Sequence, residues 1–264
     1  MRETAPKVHL VSRPQLNVAG VAAYLDAVGG GEWLAQRLAE RKEGTGPSEA
    51  ELLVEFAGRL CYRSWKPGLN PNVTKVRREL GAYFENILAS GHGSVLEHAN
   101  FSFVFQDVSR VATHELVRHR AGSAFSQESL RYVRLAEINF RIPPSLEPLR
   151  NRVVEIVEQL EEFQREGAAM LELDREGVPF HVKKEVTSAL RRLAPIGLST
   201  HILWTANVRT IRHVLALRTD PSAEEELRLI FDQVGKLIVG EVPYLFADFT
   251  RKDDGSWVPA HPKV

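Results

Sequence analysis

The chain has 264 residues, 44% hydrophobic and 26% charged, which is enough to bury a full core without disulfide or metal staples. Its 34 basic residues equal its 34 acidic ones, which excludes a protein whose whole surface attracts polyanions but leaves room for a local basic pocket. A single cysteine, Cys61, excludes an intrachain disulfide. The opening residues lack a signal-peptide apolar run, and no stretch approaches the roughly 18 apolar residues of a membrane span. The expectation is one cytoplasmic domain over 1–264, with no membrane partner.

Along the chain, Gly29-Gly30-Gly31 and Glu43 to Pro47 read as loops. Ser48 opens a helix, with Glu51 three residues on as a capping box, and Leu52, Leu53, Phe56, Ala57 and Leu60 form its apolar face. After the break at Lys66 to Pro71, a second helix carries Leu80, Tyr83, Phe84, Ile87 and Leu88 and stops at Gly91. Phe101, Phe103 and Phe105 alternate with Ser102 and Val104, which predicts a strand, and Val108 to Val117 returns to helical spacing. Beyond Pro143-Pro144 a long charged helix is expected from about Leu149 to Asp174, buried along Val153, Ile156, Val157, Leu160 and Phe163. Val182 to Leu193 is another helical stretch, and Pro195 and Gly197 interrupt the chain before Trp204. Ser222 with Glu225 is expected to cap a last helix through Leu227, Ile230, Phe231, Val234 and Leu237. Several helices, few strands and no β-α alternation predict the α+β class.

The densest chemistry lies from Arg118-His119-Arg120 through Ser123, Ser126, Gln127, Ser129, Arg131 and Tyr132, with Gly122 permitting close backbone approach. Arginine forks and hydroxyls suit a phosphate or pyrophosphate, yet neither a Walker loop nor a Rossmann fingerprint is present. Without further context the basic triplet would simply end a helix favourably. His114-Glu115 begins like HExxH, but position 118 is Arg118; His119 lies about 140° round a regular helix, so the two imidazoles cannot share an ion from it. Cys61, between Arg59 and Arg63, could be an activated thiol, but its place at the end of an amphipathic helix favours a small buried one. Ser129 has no base at a fixed spacing and reads as a binding group. In Trp204 to Arg218, Ile211, Val214, Leu215 and Arg218 share one helical side, while Asn207, Arg209 and His213 add polar groups. A metal-dependent hydrolase and a non-catalytic nucleotide-binding or nucleic-acid-binding protein are the alternatives on these residues alone. The neutral charge and the scarcity of interleaved aromatics argue against a nucleic-acid partner.

Taken together, the motifs resemble the flavin-dependent thymidylate synthases. The family signature is Arg-His-Arg, seven or eight residues, then Ser; here it is Arg118-His119-Arg120, eight residues and Ser129, followed by Arg131-Tyr132. Gly91-His92-Gly93-Ser94-Val95-Leu96-Glu97-His98 resembles the segment ahead of a Phe-rich strand, and Trp204 to Arg209 with Leu217-Arg218 resembles the C-terminal motif. The ordered match runs over roughly residues 50 to 250. Glu115 stands where the family often has glutamine, and His213 where asparagine can stand.

The resemblance implies a helix-rich fold with a small central sheet and a homotetramer with FAD at subunit interfaces. It implies methylation of dUMP to dTMP, with methylenetetrahydrofolate as carbon donor, NADPH as the flavin's reductant and no metal. FAD would be held by Arg118, His119, Arg120, Asn207 and Arg209, with His92, Ser94 and His213 nearby. The dUMP site would be lined by Glu115, Gln127, Glu128, Ser129, Leu130, Arg131, Arg191 and Arg218. Arg131 and Arg191 would clamp the phosphate, and Arg218 would be the catalytic residue, stabilising negative charge as the ring loses its N3 proton.

Overall fold

A computed structural model of the chain describes residues 1–73 and 75–264. The order of elements is β1 (Arg2–Glu3), β2 (Lys7–Ser12), α1 (Val18–Val28), α2 (Gly31–Lys42), α3 (Glu49–Tyr62) and α4 (Leu80–Ala89). A 3-10 turn at Gly93–His98 leads into β3 (Asn100–Ser109), α5 (Arg110–Leu116), β4 (Ser123–Gln127) and β5 (Asn139–Phe140). There follow α6 (Arg150–Met170), α7 (Phe180–Leu190), β6 (Ser199–Asn207), α8 (Val208–Arg218), α9 (Glu225–Glu241), and a hairpin of β7 (Phe249–Arg251) and β8 (Trp257–Pro259).

The main sheet is antiparallel in the order β2-β3-β6-β4. This is the mixed, helix-rich α+β arrangement with small sheets that the sequence predicts. Phe101, Phe103 and Phe105 alternate inward, and Phe103 and Phe105 meet Trp204 on β6 with ring centroids 6.0 and 5.8 Å away. Phe231 of α9 and Ile211, Val214 and Leu215 of α8 close the same core. Among the described residues, no helix is long and apolar enough to cross a membrane.

Between Phe105 and Val108 the ladder shifts register. Asp107 takes φ +56°, and its N–H donates to His201 Nδ1 at 3.1 Å. The strand therefore continues through Ser109, and the helix expected from Val108 begins two residues later, at Arg110. Ser109 is extended and caps that helix: its Oγ accepts from Ala112 N at 3.1 Å, while its own N–H donates to buried Glu226 Oε1 at 2.8 Å.

The capping box of Ser48 and Glu51 forms as predicted. The face that α3 buries is turned from the expected one, however. It carries Leu52 and Val54 together with Glu51, Glu55 and Arg59, while Leu60 and Cys61 are exposed. The expected buried thiol is thus a surface one. The cause is α2, unread in the sequence, whose Trp33 and Arg37 both donate to Glu55, which also accepts from Arg59. The long charged helix is α6, shorter than expected by its last turn. Of its expected stripe only Val157 is fully buried, and Ile156 and Phe163 are exposed, because α7 and the 130s loop cover one side only. The stretch expected as helix over Val182 to Leu193 is α7, starting at Phe180, then a 3-10 turn at Arg191–Leu193. The cap of α9 is Glu224 rather than Ser222. The Glu224 carboxylate accepts from Glu226 N and Leu227 N, while the Ser222 hydroxyl donates to Asp220.

Candidate functional site

Two segments remote in sequence build one cleft of about 610 Å³. The first is the turn after α5. That helix ends at Leu116, so Arg118-His119-Arg120 lie in a turn held by N–H bonds from Arg118 to Glu115 O and from His119 to Leu116 O. The second is the β6–α8 junction, where Asn207 is the N-cap: its Oδ1 accepts from Thr210 N at 2.8 Å. The two are stitched together by Asn207 N donating to Gly122 O and by Thr210 Oγ1 donating to Ala121 O. Gly122 sits at φ +66°, and a Cβ there would lie 2.3 Å from Asn207 Nδ2 and 2.5 Å from Thr210 Oγ1, so no other residue fits.

The cleft walls carry Arg118, His119, Arg120, Asn207, Arg209 and His213, together with Glu97. These are six of the eight residues expected around a cofactor. Arg209 donates to Glu97 Oε1 at 2.6 Å, and its guanidinium crosses so close to Gly93 that a Cβ there would meet Nε at 2.6 Å. Glu97, Thr210 and Gly93 are additions to the expected set. Glu97 and Gly93 stand in a motif already conspicuous in the sequence, whereas Thr210 carries no signal of its own. The other two expected residues lie off this cleft. Ser94 is exposed on the 3-10 turn, and His92 lines a separate cavity of about 350 Å³, stacked on Tyr62 with centroids 5.6 Å apart. Tyr62 Oη is 3.0 Å from His92 Nε2.

At the wall formed by His119, three side chains from three segments converge. Arg218, the last residue of α8, donates through Nε to His119 Nε2 at 2.8 Å and through Nη1 to Glu115 Oε2 at 2.7 Å. Burial, then the Arg218 cation and His213, push the His119 imidazole down to about 4. The ring is therefore neutral near pH 7, with Nε2 as acceptor and the proton on Nδ1. The rings of His119 and His213 meet edge to face, centroids 6.2 Å apart.

The remaining residues expected around a substrate form a second group. Gln127 Nε2 donates to Thr113 Oγ1 on α5 at 3.1 Å. Glu128 N donates to His201 O, and Ser129 Oγ accepts from Arg131 N at 3.3 Å. Arg131 is exposed over the Tyr132 ring, which stacks on Phe180. Leu130 and Arg191 line a third, largely apolar cavity of about 250 Å³ against α6 and α7. Within one chain, then, Glu115 and Arg218 adjoin the cleft through His119, while Leu130 and Arg191 lie at another cavity. Among the described residues, no three His, Cys, Asp or Glu side chains gather as a metal-ion cluster.

Residues 45–244 match the family model described as thymidylate synthase complementing protein. A flavin-dependent thymidylate synthase of Mycobacterium tuberculosis (strain ATCC 25618 / H37Rv) is 38% identical over 218 residues, covering 80% of this chain and 84% of the relative. One of Mycobacterium marinum is also 38% identical, over 220 residues, with 80% and 85% covered. One of Mycobacterium sp. (strain JLS) is 34% identical over 282 aligned positions, covering 100% of this chain and 99% of the relative.

Proposed function

The chain belongs to the flavin-dependent thymidylate synthase family, and on that premise we propose that it methylates dUMP to dTMP with methylenetetrahydrofolate as carbon donor and FAD reduced by NADPH. The observation that carries this reading is the cleft in which Arg118, His119, Arg120, Asn207 and Arg209 meet, with the Arg218–Glu115 pair bonded to His119 behind its wall.

The residues fit a flavin dinucleotide. Arg118, Arg120 and Arg209 supply cations for its pyrophosphate, and Gly122 and Gly93 remove the side chains that would crowd the walls. Asn207 uses its Oδ1 for the helix cap and packs its Nδ2 against Gly122, at the lining of the cleft. His213 closes the wall beside His119, and His92 and Ser94 complete the set from the neighbouring segment. When bound, the flavin supplies the reducing equivalent that turns a transferred methylene into a methyl group.

The chain's own residues hold and polarise the nucleotide. Arg131 and Arg191 clamp the dianionic phosphate, while Gln127, Glu128, Ser129 and Leu130 shape the pocket around the sugar and base. Arg218 faces the pyrimidine and stabilises negative charge as N3 gives up its proton, which raises electron density at C5 for attack on the one-carbon unit. C5 gains the carbon and releases its proton. The separation of the Arg191 group from the Arg218 group within one chain supports a homotetramer in which neighbouring copies complete each dUMP site. The whole chain, 1–264, acts as one domain.

The test is an anaerobic visible spectrum of the purified protein during NADPH addition, with and without dUMP, followed by a dTMP assay with methylenetetrahydrofolate. Flavin bands that bleach and respond to dUMP, with dTMP formed, are expected. A colourless protein that fails to take up added FAD would overturn the reading.

A further inference from the structure

A cationic side chain at the end of a helix is held only by what it touches, and Arg218 touches two groups of opposite kind. Its Nε donates to a neutral imidazole at 2.8 Å and its Nη1 to a carboxylate at 2.7 Å. The two bonds fix the guanidinium plane and direction, and Nη2 makes no hydrogen bond to another described residue. His119 can do this only while its Nε2 carries no proton, and burial together with the Arg218 charge keep it so. Glu115 does something further, because it already sets a negative charge on the guanidinium.

We propose that Glu115 and His119 are positioning residues for Arg218, and that the Glu115 carboxylate is also a placeholder on the guanidinium for the anionic edge of the pyrimidine. The inference rests on the proposed nucleotide reaction at this site. Before substrate arrives, Arg218 is oriented and charge-matched. As the pyrimidine becomes anionic, two negative groups compete for one cation, and the carboxylate yields. The exchange makes Arg218 selective, since a neutral ring meets only the free Nη2, whereas an anionic one matches the carboxylate's charge and competes with it for Nη1 as well. Glutamine at this position would keep an acceptor for Nη1 and remove the competition. Glutamate and glutamine here therefore set different balances between holding Arg218 and releasing it.

The experiment compares E115Q, E115A and H119A with the unmodified enzyme, each assayed for flavin content, kcat and KM for dUMP, and affinity for 5-fluoro-dUMP, whose N3 proton is more acidic. With E115Q, KM for dUMP is expected to fall about threefold or more, and 5-fluoro-dUMP to gain more than dUMP does. With E115A, kcat is expected to fall at least about tenfold with flavin retained, because the hold on Arg218 is lost; with H119A, which also lines the cofactor cleft, the same fall is expected per bound flavin. A rise in KM for E115Q would make Glu115 an ordinary substrate contact and overturn the proposal, as would E115Q and E115A behaving alike.

A ligand-free readout separates this from failure of the function itself. The Arg218 Nε–H resonance, assigned by its loss in R218K, is expected to be exchange-protected in the unmodified protein and in E115Q and unprotected in E115A and H119A. If the unmodified protein neither binds nor turns over dUMP, the proposed function fails. Protection that then persists in E115A and H119A would also remove the positioning role.

Discussion

A β-carbon on Gly122 would stand 2.3 Å from the side-chain nitrogen of Asn207, so the turn carrying Arg118 to Arg120 and the start of α8 touch with only a hydrogen atom's width between them. The contact joins the two segments that wall the cleft.

Gly122→Ala is expected to destabilise the fold by about 1–3 kcal/mol, through the left-handed backbone and the clash together, and to abolish flavin retention. Gly177→Ala has a similar positive φ but nothing within 4 Å of the added carbon. It should cost about 1 kcal/mol and leave flavin in place. Thermal denaturation and the flavin-to-protein absorbance ratio of the two variants decide this.

His119 titrates near 4 in the folded chain against an ordinary value of about 6.5 in an unfolded one. The unfolded state therefore takes up a proton first as pH falls. The stability due to neutral His119 is fully present above about pH 6.5 and drains away down to pH 4, by an amount on the order of 1–3 kcal/mol. Urea midpoints measured from pH 7 to pH 4 should show this slope, and H119Q should flatten it.

Arg212 and Asp248 form a buried pair, with bonds of 2.7 and 3.0 Å and a further bond from Arg212 to Leu245 O. Arg212 outweighs the burial that would raise Asp248, and holds its carboxyl below the usual range. Asp248→Ala strands a buried cation under α8 and should cost about 3–5 kcal/mol. A melting temperature unchanged within a degree would contradict that assignment.

Arg209 and Glu97 are about half exposed, so their 2.6 Å contact should add under about 1 kcal/mol to stability. Arg209→Ala is expected to leave the melting temperature of the flavin-free protein nearly unchanged while weakening FAD binding at least about tenfold. Fluorescence titration with FAD reads the second effect. Equal losses in both would make Arg209 a structural residue.

Arg131→Ala and Arg191→Ala should each weaken binding of dUMP far more than binding of deoxyuridine, which lacks the phosphate. A loss of the same size with both substrates would remove the phosphate role.

What the sequence disclosed follows from the range of each interaction. The capping box at Ser48 and the alternation of Phe101, Phe103 and Phe105 are local, and both are formed. β4 escaped notice because Ser123 to Gln127 is a mostly polar edge strand with little apolar signal. β6 hid in the apolar run at Ile202 to Trp204, which does not announce its period. Arg212 carries no sequence signal of its burial because its partner, Asp248, is 36 positions away. Of the candidate site, the Arg-His-Arg turn and the Asn207 to His213 segment could be singled out by residue type, and they share one cleft. The bond from Arg218 to His119 spans 99 positions and has no local signature, and neither does the stacking of Tyr62 on His92.

The bulge at Asp107 acts on the site as a gear. It sets the phase at which β3 delivers the chain to Ser109, and hence the rotation at which α5 starts. Without the bulge, the same five residues in regular pairing would carry Ser109 one step further, opposite Leu198 instead of Ser199, about 3.3 Å along the strand and on the other face of the sheet. Glu115 would then swing off Arg218, and Thr113 off Gln127, without any change in the residues that line the cleft. The length of that five-residue passage is thus as much a part of the site as the residues that line it.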